Sequence, residues 1–352
     1  MLDLLKPKQD RESLGYIKDI GDILKIHYSP GKQPVWVTIN NEYVTSCIGC
    51  DFSRCMKYNS DELELRNESL KSFPTDTNNL VCQTNAIFFK NGDNTPTINE
   101  KSCIMCGICV SRCPIGAIYL GKNTAIISKS NEYVVFEKNS PSIKQKQHNQ
   151  ISKLLTVKKE GKMIVENDEL ISSIYDKIRN SIYDSQFPNL FTRNLFIETE
   201  NRCYVRRRGD VYFRIDGLLE FLDCVGIAEI EFKNEVMGSP RSILDDIAVL
   251  SSRYDVKKEY IKSYIVSLEF PNMRTEYWRV INDISNVLNI KINSLTIGTL
   301  LLLVWNFVKV DFSTIDFYAD VESPSIMSCI ENILGRKISI SLDEIGVLEP
   351  KK

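Results

Sequence analysis

Residues 103–114 read Cys103-Ile104-Met105-Cys106-Gly107-Ile108-Cys109-Val110-Ser111-Arg112-Cys113-Pro114. The cysteines follow the spacing Cys-x2-Cys-x2-Cys-x3-Cys-Pro, whose two-residue gaps let three thiolates converge on three corners of one four-iron cluster. Gly107 permits the tight turn between them, and Pro114 ends the loop. The pattern therefore predicts a [4Fe–4S] site. The alternatives are a zinc site or unliganded core thiols, but zinc sites normally use Cys-x2-Cys pairs separated by a longer gap.

An altered copy of this motif lies upstream. It begins with Cys47 and Cys50, continues with Cys55 after four residues rather than two, and includes a separate cysteine, Cys82. Residues 44–128 resemble a bacterial-type two-cluster ferredoxin, in which the fourth cysteine of each run ligates the other cluster. The resemblance implies two ligand sets: Cys47, Cys50, Cys55 and Cys113 for cluster one, and Cys82, Cys103, Cys106 and Cys109 for cluster two.

Three departures from the ferredoxin pattern concern the upstream copy. The gap between Cys50 and Cys55 is wider, Gln83 stands in place of proline after Cys82, and an insertion separates Cys55 from Cys82. They leave open whether cluster one is complete, incomplete or a three-iron form.

Composition limits the classes of protein to which the chain can belong. Its 352 residues are enough for two domains, and 43% hydrophobic and 26% charged residues are ordinary for a globular protein. Eleven cysteines with metal-ligand spacing indicate a reducing compartment, and residues 1–7 lack the features of a secretory signal, so we expect a cytoplasmic protein without a membrane span. The net charge of −2 gives no global basic signature, and the two histidines nearly exclude His-dependent zinc hydrolysis.

The order of apolar patterns predicts an α+β protein. We expect a ferredoxin-like domain with two [4Fe–4S] clusters, followed by an α/β domain with a mixed sheet. The expected boundaries are 1–44 for an N-terminal β segment, 45–137 for the cluster domain, 138–162 for a polar linker and 163–352 for the C-terminal domain. Periodicity in the C-terminal domain predicts the order α-β-β-α-β-α-β, with residues 299–307 either continuing the last strand or forming a buried helix.

The C-terminal domain carries a candidate catalytic motif. Alternation along residues 228–233 predicts a strand with Glu231 and Lys233 on one face, and Asp216 precedes Glu231 by fifteen residues. An Asp followed by Glu-x-Lys on a neighbouring strand resembles the PD-(D/E)xK core of restriction endonucleases. The resemblance implies that the C-terminal domain is restriction-endonuclease-like. It further implies that Asp216 and Glu231 hold Mg²⁺ and that Lys233 lies beside the attacking water.

Other residues leave alternatives open for this site. Asp210 is the alternative metal aspartate, and Glu220 and Glu229 are further candidate ligands. Glu169 is either a supporting carboxylate or an exposed helix residue, and the Glu-x-Lys motif itself can be a solvated strand face. A nearby arginine cluster predicts contacts with DNA phosphates, or is a solvated loop. Its members are Arg206, Arg207, Arg208 and Arg214.

Two functions of different classes follow. The first is a Mg²⁺-dependent endonuclease of the restriction type that hydrolyses double-stranded DNA, with clusters that are structural or position the DNA. Symmetry favours a homodimer for such an enzyme. The second is a ferredoxin-type electron-transfer protein whose C-terminal domain docks a partner. Residues 160–352 lack a Gly-x-Gly-x-x-Gly or P-loop motif, which counts against the second function, whereas ferredoxin modules most often carry electrons, which counts against the first.

Overall fold

The computed structural model divides the chain into two compact units. The N-terminal unit comprises Met1–Tyr58, Leu80–Asn167 and Val304–Phe307, and the C-terminal unit comprises Asn59–Asn79, Asp168–Leu303 and Val308–Lys352. The residues that the structure describes are 16–17, 37–39, 54–89, 96–99, 101–112, 118–120, 125–127, 134–135, 163–165, 168–210, 212–306, 308–317, 325–340 and 346–351. The division differs from the expected boundaries, because the insertion at 59–79 belongs to the C-terminal unit.

The described strands of the N-terminal unit form short antiparallel pairs. They are β1 (Tyr16–Ile17), β2 (Val37–Ile39), β3 (Ile87–Phe89), β4 (Pro96–Ile98), β5 (Ile118–Leu120), β6 (Ala125–Ile127), β7 (Val134–Val135) and β8 (Met163–Val165). β1 pairs with β7, β2 with β5, β3 with β4, and β6 with β8. Strands of the expected N-terminal β segment therefore pair with strands that follow the cysteine motif. β8, expected in the C-terminal domain, also belongs to this unit, whereas the expected linker at 138–162 lies outside the described residues.

The C-terminal unit contains a five-stranded mixed sheet. Its strands are β9 (Arg202–Val205), β10 (Gly217–Glu220), β11 (Val225–Glu231), β12 (Ile261–Ser267) and β13 (Ile292–Thr296). With the short helix α1 (Ile108–Arg112) of the N-terminal unit counted first, the helices that follow are α2 (Leu170–Asn180), α3 (Phe187–Glu198), α4 (Ser239–Tyr254), α5 (Glu276–Leu288), α6 (Ile297–Trp305) and α7 (Ile326–Leu334). The sheet order is β13-β12-β11-β10-β9, antiparallel from β9 to β11 and parallel from β11 to β13. The predicted mixed α and β architecture is confirmed.

Connection lengths explain this topology. β10 and β11 are joined by residues 221–224, and the Phe221 N–H donates to the Cys224 carbonyl at 3.2 Å, which closes the turn of an antiparallel pair. Parallel neighbours need a longer crossover, which α4 supplies between β11 and β12 and α5 supplies between β12 and β13. Both helices end at a residue in the left-handed region, Asp255 with φ 56° and Asn289 with φ 54°. Asp and Asn tolerate this conformation better than most residues.

The structure adds elements that the periodicity does not predict. α3 and β9 stand between the first helix of the unit and β10, and α7 follows the last strand. α3 buries Asn189, Arg193 and Asn194 together with its phenylalanines, so it has no apolar stripe opposite a polar face and gives no helical signal in the sequence. The stretch at 299–307, left open between strand and helix, lies mostly in α6.

Candidate functional site

Four cysteines of the N-terminal unit line one small cavity. Cys82, Cys103, Cys106 and Cys109 surround a space of about 20 Å³. The other lining residues are mostly apolar: Val81, Thr84, Ala86, Ile87, Ile98, Ile104, Gly107 and Ile108. The structure therefore brings together the four cysteines that the sequence predicts as ligands of cluster two, although Cys82 is distant from the other three along the chain.

Backbone amides of the cysteine loop point toward the sulfur atoms. The loop turns through Met105 with φ 63° and Gly107 with φ 78°, both in the left-handed region. For Met105 this conformation costs about 1–2 kcal/mol, which the packing of its buried side chain offsets. The Met105 N–H donates to Cys103 Sγ at 3.4 Å, and the Ala86 N–H donates to Cys82 Sγ at 3.2 Å. Hydrogen bonds of this kind stabilise negative charge on cluster thiolates.

A tryptophan far along the chain anchors the same loop. Trp305, at the end of α6, is fully buried, and its Nε1–H donates to the Cys106 carbonyl at 2.8 Å. Trp305 belongs to the N-terminal unit. Sequence reasoning missed this contact, because nothing near Trp305 in the sequence marks it as a neighbour of the cysteines.

The surroundings of these thiols favour metal ligation. Burial raises the pKa of the Cys106 thiol, and the nearby Cys82 and Cys103 sulfurs raise it further. The pKa of Cys109 is raised by burial and then by Cys106 and the other neighbouring sulfurs. No disulfide joins the described cysteines. Buried thiols that crowd each other ionise readily when a bound cation balances their charge, and ligation supplies that balance.

The residues around this cavity fit a four-iron cluster. Among the described residues, no three or more His, Cys, Asp or Glu side chains converge as a single metal ion requires. A zinc ion draws four thiolates onto one centre, whereas a four-iron cube separates its ligands because each thiolate binds a different iron. The donor set, the apolar lining and the amide-to-sulfur hydrogen bonds all fit such a cube.

Of the residues predicted to bind cluster one, Cys55 lies within the described part of the chain. It is buried, and its proximity contributes to the raised pKa of Cys109. Cys47, Cys50 and Cys113 lie outside the described residues. The ligand set of cluster one therefore stays a prediction.

The predicted catalytic aspartate of the C-terminal unit lies immediately before β10. Asp216 Oδ2 accepts a hydrogen bond from the Ile230 N–H at 3.3 Å, and Oδ1 lies 3.5 Å from Arg206 Nη2 and 3.4 Å from Asn189 Nδ2. Burial raises its pKa, while these donors act in the opposite direction. Since Gly217 pairs with Ala228 in the antiparallel register, Asp216 is next to Glu229 on the neighbouring strand.

Asp216, Glu229 and Asp246 form a group that we call the carboxylate cluster. Burial, then the charges of Asp216 and Asp246, raise the pKa of Glu229 to about 8. Burial, then the charge of Asp216, raise the pKa of Asp246 to about 7. Asp246 Oδ2 is buried and has no hydrogen-bond partner within the described residues. Glu229 and Asp246 therefore hold protons near neutral pH, because they are poorly solvated and lie near the charge of Asp216.

The predicted roles of Glu231 and Lys233 rest on a strand that ends earlier than expected. β11 stops at Glu231, whose Oε1 accepts from the Lys233 N–H at 2.7 Å. A short 3₁₀ helix follows at Asn234–Gly238. Lys233 therefore lies between the strand and this helix, and it is exposed. We predicted that Glu231 and Lys233 lie on one face of the same strand, and the structure corrects this because Lys233 lies outside β11. The register places Glu229, rather than Glu231, beside Asp216.

The predicted arginine cluster is divided between internal and surface contacts. Arg206 donates to the carbonyl groups of Asp210 and Phe213 as well as facing Asp216. The other three members are exposed and each faces an acidic side chain: Arg207 with Asp210 at 3.5 Å, Arg208 with Asp184 at 2.6 Å and Arg214 with Asp245 at 3.5 Å. Exposed pairs of this type are weak, so these arginines can exchange an acidic partner for a phosphate.

The other candidate carboxylates have separate surroundings. Asp210 is paired with Arg207, as above. Glu220 accepts from the Tyr204 hydroxyl at 2.7 Å, at the opposite end of β10 from Asp216. Glu169 is the N-cap residue of α2 and makes no side-chain capping bond. Sequence reasoning missed Asp246, although a carboxylate one turn after Ile243 on the apolar face of α4 was a visible signal.

Comparisons with known proteins agree on the cysteine motif. A 4Fe-4S binding domain matches residues 96–119. An uncharacterized ferredoxin of Methanocaldococcus jannaschii is 28% identical over 96 residues, which make up 26% of this chain and 62% of that protein. The chain thus spans less than two thirds of this relative's length. No solved structure matches.

These findings confirm a ferredoxin-like iron–sulfur region with a 4Fe–4S binding motif. They do not support the predicted nuclease core, and the number of clusters stays a prediction. None of the helices in the described ranges is both long and apolar enough to cross a membrane.

Proposed function

We propose that this chain is a ferredoxin-type electron-transfer protein. The observation that carries the proposal is the convergence of Cys82, Cys103, Cys106 and Cys109 on one small cavity. The last three of these lie within the stretch that a 4Fe-4S binding domain matches. These four cysteines would hold one [4Fe–4S] cluster. A second cluster would be held by the predicted set of Cys47, Cys50, Cys55 and Cys113.

The residues of the chain would set the conditions for electron transfer. A bound [4Fe–4S] cluster supplies a one-electron redox centre. The apolar lining limits access of water to the sulfurs, and the Met105 and Ala86 amides stabilise the added charge of the reduced state. Trp305 fixes the position of the Cys106 carbonyl, which keeps the loop from rearranging when the charge changes.

Redox titration of anaerobically purified protein tests this function. We expect reversible reduction by dithionite, an electron paramagnetic resonance signal of a reduced cluster, and transfer of that electron to an added acceptor. Cys106→Ser should remove the signal of one cluster. Cys329→Ser is the matched control, because Cys329 lies in α7 of the C-terminal unit. A cluster that cannot be reduced within the range of physiological donors would overturn the electron-transfer role.

A second candidate function is a Mg²⁺-dependent DNA endonuclease, favoured by the carboxylate cluster beside β10 and β11. Mg²⁺ prefers oxygen ligands. Glu229 and Asp246 supply carboxyl oxygens, and their raised pKa values keep these groups protonated when no cation is bound. Asp216 and Glu229 would be the ligands, with Glu231 further along the strand. Against this candidate, the described carboxylates do not converge as one ion requires, and Arg206 already faces Asp216. We therefore derive no catalytic step through a metal here.

Plasmid cleavage in Mg²⁺ separates the two candidates. If the nuclease candidate is right, Glu229→Gln and Asp216→Asn abolish nicking, whereas Asp245→Asn leaves it unchanged. Asp245 is the matched control because it neighbours Asp246 on α4 but is exposed. Lys233→Ala, at an exposed residue, tests the predicted role of the lysine separately. Intact plasmid after prolonged incubation of the wild type with Mg²⁺ or Mn²⁺ eliminates this candidate.

A further inference from the structure

A cavity of about 860 Å³ lies in the C-terminal unit, beyond the carboxyl ends of β11 and β12. Phe232 and Leu268, which directly follow these strands, contribute to its wall, together with Arg179 from α2 and Phe187 from α3. Ligands of sheets with parallel strands usually bind outside the carboxyl ends of those strands. The volume falls in the range of small-molecule sites, about 300–1,000 Å³. Glu231 and Lys233 of the predicted nuclease motif are in its lining, but neither candidate function uses its aromatic side chains or Lys351.

Two lysines that line the cavity are available to bind a ligand. Lys233 and Lys351 both line it and are exposed, and neither ammonium group has a hydrogen-bond or ion-pair partner within the described residues. The third cation of the lining, Arg179, donates to the Tyr175 hydroxyl at 2.6 Å. Two lysines in the lining of one concave space favour an anion there.

The acidic side chains of the lining already have partners. Glu269 accepts from the Tyr175 hydroxyl at 2.9 Å, and Asp184 pairs with Arg208 at 2.6 Å. Glu231 accepts from the Lys233 backbone amide. The unpaired charge of the cavity is therefore positive, although the lining contains equal numbers of cationic and acidic residues.

One wall of the cavity is aromatic. Tyr183 stacks on Phe187 with ring centroids 4.0 Å apart, and Phe232 stands at 80° to Phe187 with centroids 6.3 Å apart. Tyr183 and Phe232 are half-buried, so part of each ring remains accessible at the cavity. Two accessible rings set nearly at right angles can contact the face and the edge of a planar ligand ring.

The start of α5 adds to the positive potential on the opposite side. Thr275, the N-cap residue of this helix, lines the cavity and makes no side-chain capping bond. Its hydroxyl donates to the Asn272 carbonyl at 2.7 Å instead. The N–H groups of a helix N-terminus favour anions, and the one acidic residue of this first turn, Glu276, is paired with Arg241 at 3.0 Å.

We propose that this cavity binds a mononucleotide, that is, a planar heterocycle that carries a phosphate. The heterocycle lies against Tyr183 and Phe232, and the phosphate lies toward Lys233, Lys351 and the start of α5. The shared chemistry fits a purine or pyrimidine mononucleotide and a flavin mononucleotide alike. The proposal does not rest on the cluster or on metal-dependent cleavage.

Isothermal titration calorimetry of the full chain in excess EDTA tests this inference. The probes are AMP, dTMP, flavin mononucleotide, adenosine and inorganic phosphate. We expect at least one mononucleotide to bind with a dissociation constant below about 1 mM, and at least tenfold more tightly than adenosine or phosphate alone. The best of the three mononucleotides then identifies the ring. EDTA excludes metal-dependent cleavage, so the result is independent of both candidate functions.

Variants assign the binding to this cavity. Lys233→Ala and Lys351→Ala should each weaken mononucleotide binding about tenfold, which is typical of one lost charge-assisted hydrogen bond. Tyr183→Ala should weaken it without changing the response to salt, because it removes a ring and no charge. Lys258→Ala is the matched control, an exposed lysine outside the lining. The proposal is wrong if no mononucleotide binds, if phosphate alone binds as tightly, or if both lysine variants bind like the wild type.

Discussion

Replacement of Asp246 by asparagine should stabilise the protein by an amount that grows as pH rises through the acid range and levels off above neutral pH. The side chain is 2% exposed, and Oδ2 has no hydrogen-bond partner within the described residues. Burial, followed by the charge of Asp216, raises its pKa from 3.8 to about 7. A neutral asparagine resembles the protonated aspartic acid in size and charge, so it removes the cost of ionisation alone.

Proton linkage gives the size of this effect. A carboxyl with a raised folded pKa keeps its proton in the folded state at pH values where the unfolded chain has lost it. Stability therefore decreases as pH rises from the unfolded pKa through the folded pKa. Between about pH 5.5 and 7 the loss is ~1.4 kcal/mol per pH unit, or ~2 kcal/mol over that interval for one carboxyl. Glu229 acts in the same direction, and because it is coupled to Asp246 the combined loss is smaller than the sum.

Urea unfolding followed by circular dichroism, in EDTA and at a series of pH values, measures the effect. The free energy of unfolding of Asp246→Asn, relative to that of the wild type, should rise by ~2 kcal/mol between pH 5.5 and 7 and stay constant above about pH 7.5. Asp245→Asn, at the exposed neighbouring position, should follow the wild type throughout. Parallel pH profiles for Asp246→Asn and the wild type would refute the buried-carboxyl reasoning.

Three further substitutions test the packing. Gly226→Ala places a Cβ 2.8 Å from the Phe221 ring and should lower the free energy of unfolding by about 1–3 kcal/mol in urea; an unchanged midpoint contradicts the tight hairpin. Arg336 Nη2 lies 2.8 Å from Oδ1 of Asp168, whose side chain is 1% exposed, so Arg336→Met leaves a buried carboxylate without its ion pair. The free energy of unfolding should fall by about 3–5 kcal/mol in the same assay. A midpoint equal to that of the wild type would mean that the pair contributes nothing. Trp305→Phe removes the hydrogen bond to the cysteine loop and should speed iron loss to a chelator; equal bleaching rates of the visible absorbance argue against an anchoring role.

Local spacing explains why the cysteine site could be predicted. Cys103, Cys106 and Cys109 are close in sequence, so their convergence requires a short loop and little else. Cys82 was assigned to the same site because, in the ferredoxins that this region resembles, the fourth cysteine of each run ligates the other cluster. The Trp305 contact joins residues 199 positions apart in the chain, and no local feature of the sequence encodes it.

The C-terminal site was predicted less well, because it depends on strand register. Asp216 could be identified from the Asp-Gly preceding a strand, but its neighbour across the sheet is fixed by the turn at 221–224, which aligns it with Glu229. A side chain two residues along a strand lies on the same face, so the alternation alone could not separate Glu229 from Glu231. Asp246 enters from α4, an element whose distance from the strands the sequence does not give.

Metal and sulfide analysis of anaerobically purified protein tests the central claim most directly. The claim is that Cys82, Cys103, Cys106 and Cys109 together hold a [4Fe–4S] cluster. We predict about four irons and four acid-labile sulfides per cluster in the wild type, little zinc, and loss of one cluster's worth of both in Cys106→Ser but not in Cys329→Ser. Protein that carries stoichiometric zinc and no sulfide, or Cys106→Ser that retains all its iron, would contradict the account.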